Sequence, residues 1–150
     1  MNNNEMNFSK YLEKSNISYE VHYFNKIKYP DFDKLFPVNT STGSTIISSY
    51  HSWDFKVHTL ESDVFVDIDG SVHDPKNKTT GITEFNDSKR PYQTDGLPAY
   101  AVLCYDDNLT DDTPVKNIIT NEIMSFKQFM ALIAFMNMDE KELKDLEIIK

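Results

Sequence analysis

The sequence predicts an α+β fold: a mainly antiparallel sheet of about five to seven strands packed against a C-terminal helical hairpin and a short N-terminal helix. Three observations lead there. Strand-like runs follow one another instead of alternating with helices. Residues 53–74, WDFKVHTLESDVFVDIDGSVHD, hold the longest β-type runs, bounded by turn residues on both sides. Helical period and capping signals gather at the two ends of the chain.

The 150 residues fit a single domain long enough to bury a core without disulfides or a structural metal. Residues 5–14 have helical spacing, with Met6, Phe8, Tyr11 and Leu12 on a broad apolar stripe and Ser15-Asn16 as the stop. Residues 17–24, ISYEVHYF, alternate as a one-sided strand: Ile17, Tyr19, Val21 and Tyr23 face the core, and His22 falls on the solvent side. Pro30 and Pro37 bracket at most one helical turn, and 45–50 can form a strand.

In the central stretch Val57, Leu60, Val64, Val66 and Ile68 supply β-branched and aliphatic weight. Residues 61–63 make one reversal, and Asp69-Gly70 carries a two-residue hairpin signal. Trp53 and Phe55 offer large apolar area, with His51 and His58 close by in sequence. From 75 to 98 the pattern lapses into a long irregular excursion holding the only arginine, Arg90. Residues 99–105, AYAVLCY, read as a strand buried on both faces, with Cys104 as a small hydrophobe, and 115–120 as another strand. Ser125 with Gln128 and Asp139 with Glu142 form two capping boxes, each opening a helix; the first carries the stripe Phe126, Phe129, Met130, Ile133 and Met136.

Charge narrows the function classes. With 24 acidic and 15 basic residues the net charge is −9, which opposes nucleic acid and anionic membrane and attracts basic surfaces. No basic leader and no apolar run near the roughly 20 residues of a membrane span is present, so a cytoplasmic chain is expected. The leading expectation is a small acidic, non-enzymatic binding protein with no catalytic residues, cofactor or metal. The lysine-rich, A/T-biased composition suits an inhibitor from a phage or mobile element that captures the basic surface of a nucleic-acid-binding enzyme in the manner of a DNA mimic; an immunity protein against a basic toxin is the alternative. Docking is expected at Asp106, Asp107, Asp111 and Asp112, two acidic pairs in one loop, joined by Asp95 and Glu84.

Three short motifs carry chemistry of their own. Pro30-Asp31 followed by Asp54-Phe55-Lys56 resembles the PD…(D/E)xK signature of metal-dependent nucleases, which implies a cation on two carboxylates, a lysine orienting water, and Glu13 as an additional acid. Val64 to Gly70, VFVDIDG, resembles the opening motif of haloacid-dehalogenase-type phosphatases, which implies Asp67 as nucleophile and Asp69 as general acid, with 118–121 as a second motif. Asp67, Asp69, Ser71 and Asp74 resemble part of a calcium loop, without its central glycine and late glutamate.

Overall fold

The computed structural model describes residues 1–23, 51–77, 81–106 and 108–149. Among these residues six strands lie in one sheet in chain order: β1 (Tyr19–Tyr23), β2 (Trp53–His58), β3 (Asp63–Asp69), β4 (Ala99–Leu103), β5 (Pro114–Asn117) and β6 (Ile123–Ser125). All neighbours are antiparallel except β3 and β4, which run parallel. Among the described residues four α-helices accompany the sheet: α1 (Asn3–Lys14), α2 (Gly81–Lys89), α3 (Phe126–Met136) and α4 (Glu140–Ile149). The α+β architecture, the antiparallel majority and the terminal helices agree with the sequence reading.

The parallel pair explains the polar stretch after β3. Two parallel strands need a crossover of a dozen or more residues, usually through a helix. Residues 70–98 are that crossover, so α2 replaces the irregular excursion expected at 75–98. Short 3₁₀ turns lie at Ser71–His73, Pro75–Asn77 and Arg90–Gln93. The helix shows little apolar period because its residues, GITEFNDSK, are mostly polar; its Asp87 pairs with His73 of the first 3₁₀ turn, and Arg90, just beyond its end, is tied to β3. The expected Asp69-Gly70 hairpin is likewise absent. Gly70 has φ −88°, and the chain leaves the sheet there into the first 3₁₀ turn.

Two cores flank the sheet. On one face Phe8 and Leu12 of α1 and Phe126, Phe129 and Ile133 of α3 pack on β2 to β5. Phe8 meets Phe55 edge-on at 4.9 Å between ring centroids. Met6, expected on the apolar stripe, is exposed, and Glu5 takes a buried position instead. The opposite face holds a smaller cluster of Trp53, Phe65, Ala99, Ala101 and Ile118.

Both predicted boxes cap their helices. Ser125 Oγ accepts the Gln128 N–H at 3.1 Å while Gln128 Oε1 accepts the Ser125 N–H at 2.9 Å, and Asp139 Oδ1 accepts the Glu142 N–H at 2.8 Å. α3 does the covering; on α4 residues 140–147 are exposed apart from half-buried Leu143.

β1 departs from its expected alternation. Tyr19 packs edge-on against Phe55 of the first core, whereas Tyr23 stacks on Phe65 of the second. Their spacing of four residues would place both on one face of a regular strand. The switch occurs at His22, whose backbone is left-handed (φ +54°), and β2 switches opposite it between Phe55 and Trp53. Val21↔Phe55 and Tyr23↔Trp53 keep one register, so no residue is inserted and His22 stands across from Asp54. Val21 is 41 % exposed as a result.

Candidate functional site

β3 alternates normally, sending Val64, Val66 and Ile68 into the first core and Phe65, Asp67 and Asp69 toward the second face. Two carboxylates are thereby buried next to each other in sequence parity, Asp67 at 3 % and Asp69 at 2 % exposure. Buried carboxylates need a counter-charge and hydrogen bonds to be tolerated. Arg90, which follows α2, supplies both. Its Nη1 lies 2.9 Å from Asp67 Oδ2 and 2.9 Å from Asp69 Oδ1, and its Nη2 lies 3.0 Å from Asp69 Oδ2. Burial disfavours the charged guanidinium, but Asp69 and Asp67 more than reverse that and raise its pKa further.

Asp67 is the hub. Its Oδ2 also meets His51 Nε2 at 2.5 Å, and its Oδ1 accepts the Asp54 backbone N–H at 3.0 Å. Burial pushes its pKa up, and His51 with Arg90 pulls it below the ordinary carboxylate value. Gln93 fixes the neighbourhood: its side chain accepts the His51 backbone N–H and its carbonyl accepts Trp53 Nε1–H at 3.3 Å.

Asp54 has the opposite environment. Its Oδ2 accepts the Ile68 N–H at 2.7 Å, but no cation reaches it among the described residues. Burial, then the charge of Asp67, pushes its carboxyl up to about 7, with Glu5 and Asp69 adding to the effect. Glu5 approaches from the first turn of α1, a helix whose N-cap Asn2 accepts the Glu5 N–H at 2.8 Å. Ligand atoms of Glu5, His22 and Asp54 all lie within 4.8 Å of one another, the one such group among the described residues. The arrangement is thus a pair of carboxylates locked to cations (Asp67, Asp69) beside a pair that is not (Asp54, Glu5), with an imidazole facing the second pair.

Behind Asp69 a cavity of about 260 Å³ is bordered by His73, Asp87, Arg90, Tyr105 and Lys116. His73 Nδ1 pairs with Asp87 Oδ2 at 2.8 Å, and that bond, against the opposing effect of burial, raises the imidazole's pKa. Cys104 is buried, and burial raises its thiol to about 11, in keeping with a packing role.

The motifs singled out in the sequence are partly dispersed. Pro30 and Asp31 lie outside the described residues. Lys56 sits 3.7 Å from Asp63 and over the Tyr23 ring, engaged away from Asp54. Glu13 is exposed and accepts the Tyr19 hydroxyl at 2.7 Å; Glu5, two helical turns earlier, occupies the place beside Asp54. Asp67 and Asp69 are tied to Arg90, a poor arrangement for a nucleophile and a general acid. Asp74 spends an oxygen on the Lys76 N–H at 2.9 Å instead of joining Asp69 in a calcium loop. His58 pairs with Asp63 and Glu20, apart from His51 and Trp53.

Of the docking residues, Asp106, Asp111 and Asp112 are exposed after β4, and Asp107 lies outside the described residues. Asp95 is exposed in a left-handed turn (φ +54°) before β4, at the other end of that strand, and Glu84 is exposed on α2. Glu5 was legible in principle: it shares the spacing of Phe8 and Leu12 on the buried stripe of α1. Arg90 was legible only as the sole arginine. No helix among the described residues is long and apolar enough to cross a membrane. No family model, no curated protein and no solved structure matches this chain.

Proposed function

We propose that the chain is a divalent-cation-dependent phosphodiesterase acting on nucleic acid, with Asp54 and Glu5 as the carboxylates that hold the ion and Asp67, fixed by Arg90 and His51, as the charge beside them. The observation that carries this reading is Asp54: a half-buried carboxylate facing Asp67 and Glu5 with no cationic partner among the described residues, and therefore held up to about 7. Such crowding is relieved by an ion held between Asp54 and Glu5. Small hard divalent ions such as Mg²⁺ and Mn²⁺ are held by one or two carboxylates and complete their shell with water and substrate phosphate, which is why the substrate class is a phosphate ester. A diester carries one negative charge where a monoester carries about two, so a carboxylate-rich site opposes it less. The bound ion would activate water and offset developing charge. Arg90 and His51 hold Asp67 ionised and oriented, so its charge stays beside Asp54.

Purified protein incubated with single- and double-stranded DNA and RNA should cleave at least one of them with Mn²⁺ or Mg²⁺ and none with chelator. Asp54→Asn and Glu5→Gln should each lose the activity. Absence of cleavage with every substrate and ion, or cleavage that survives both substitutions, removes this reading.

A second reading rests on a different observation: Asp106, Asp111 and Asp112 are exposed together on a chain of net charge −9. That supports the acidic binding protein, an inhibitor that takes the basic face of a nucleic-acid-binding enzyme or an immunity protein that takes a basic toxin. Capture of a basic partner should then weaken with added salt and with Asp106, Asp107, Asp111 and Asp112 changed to Asn. Equal capture by the neutralised loop places the contact elsewhere.

A further inference from the structure

We propose that His22 is a ligand in the same cation site, which makes it a mixed nitrogen and oxygen site that selects manganese-class ions over magnesium and calcium. The inference rests on the cation reading of Asp54 given above and adds the identity of the ion. His22 and Asp54 face each other at the one register position where both strands switch faces. The left-handed backbone at His22 is a conformation that non-glycine residues seldom adopt, histidine less seldom than most. Here it turns the imidazole toward α1.

Glu5 gives an independent sign that something positive belongs there. Its side chain is buried (9 % exposed), yet no hydrogen bond or ion pair to its carboxylate exists among the described residues. Oxygen or nitrogen atoms of Glu5, His22 and Asp54 come within 4.8 Å of one another without any two closing to an ion pair. Donor atoms bound at about 2.1 Å to one ion stand about 3 to 4.3 Å apart, so a small inward movement of each side chain would complete the set. An imidazole with two carboxylates suits Mn²⁺, Fe²⁺ or Zn²⁺. Ca²⁺ asks for six to eight oxygens, and Mg²⁺ prefers an all-oxygen octahedron.

The test is titration calorimetry of the full chain with Mn²⁺, Mg²⁺ and Ca²⁺, together with electron spin-echo spectroscopy of bound Mn²⁺, on the native protein and on His22→Asn and Asp54→Asn. Asparagine tolerates the left-handed backbone but has no imidazole; His22→Gly is a second variant with the same freedom. The native protein should bind Mn²⁺ at least about tenfold more tightly than Mg²⁺ and show modulation from an imidazole nitrogen. Both His22 variants should lose the modulation and about tenfold in Mn²⁺ affinity, with Mg²⁺ affinity changed by less than about threefold. If Mn²⁺ binds through Asp54 but the His22 variants keep the native selectivity and spectrum, His22 is no ligand and only this inference falls. If no ion binds, or Asp54→Asn binds as the native protein does, the phosphodiesterase reading falls with it.

Discussion

Changing Asp54 to Asn should make the protein more stable and inactive at once. The carboxyl of Asp54 is raised from its ordinary 3.8 to about 7 in the folded chain. Between those two values the folded state holds a proton that the unfolded state has released. The favourable contribution of the protonated group is therefore full below pH 3.8 and lost as pH rises to about 7. A shift of about three units corresponds to about 4 kcal/mol at ~1.4 kcal/mol per unit. Asp54 is only half-buried, so solvent screening reduces this to about 2 kcal/mol. Asparagine can still accept the Ile68 N–H through its amide oxygen, and it carries no charge toward Asp67 or Glu5. At pH 8 without divalent ions the variant should melt about 4–8 °C above the native protein, at ~2–4 °C per kcal/mol for a chain of this size. At pH 4 the difference should shrink to near zero. Adding Mn²⁺ at a hundred times its dissociation constant should stabilise the native protein by about 2.7 kcal/mol and leave the variant unmoved. Calorimetric melting across pH 4–8, with and without the ion, reads all of this. A variant less stable than the native protein at pH 8, or a difference independent of pH, refutes the electrostatic account of Asp54.

Arg90→Leu leaves Asp67 and Asp69 buried without their counter-charge and should cost about 3–5 kcal/mol in denaturant unfolding at pH 7; restoring most of that loss with Asp69→Asn added would confirm that the cost lies in the orphaned carboxylates. The imidazole of His73 is raised by its bond to Asp87, so its contribution should be complete below 6.5 and fade as pH rises through the raised value; Asp87→Asn should remove that slope from the stability profile. Ser125→Ala breaks a reciprocal cap and should cost about 1 kcal/mol, measured as a shift in denaturant midpoint at unchanged slope. Phe8→Ala, at the centre of the aromatic contacts between α1, α3 and β2, should cost about 3–5 kcal/mol, and a loss below 1 kcal/mol would show that α1 is not part of the main core.

Local chemistry made much of the fold readable. Ser125 with Gln128 and Asp139 with Glu142 announce their helices because a cap is a bond between near neighbours. Val64, Val66 and Ile68 announce a strand because a pleat repeats every two residues, and the run of 99–105 marks β4 because a strand covered on both faces has no polar positions. The crossover was not readable by the same means: the side chains that anchor α2 do so through charge, and Asp87 and Arg90 find His73 and Asp69 only once β4 lies parallel to β3. The same holds for the site. Composition and spacing determined that the chain is acidic and that Asp54 and Asp67 stand in strand-like runs; they placed Asp69 in a turn and Met6, not Glu5, on the apolar side of the first helix. Only the tertiary structure decided that Arg90 neutralises Asp67 and Asp69 while Asp54 and Glu5 are left facing His22. The physical reason is that a counter-ion acts across a few ångströms of space, and those distances are set by sheet register and by the left-handed turn at His22, which no local pattern in the sequence encodes.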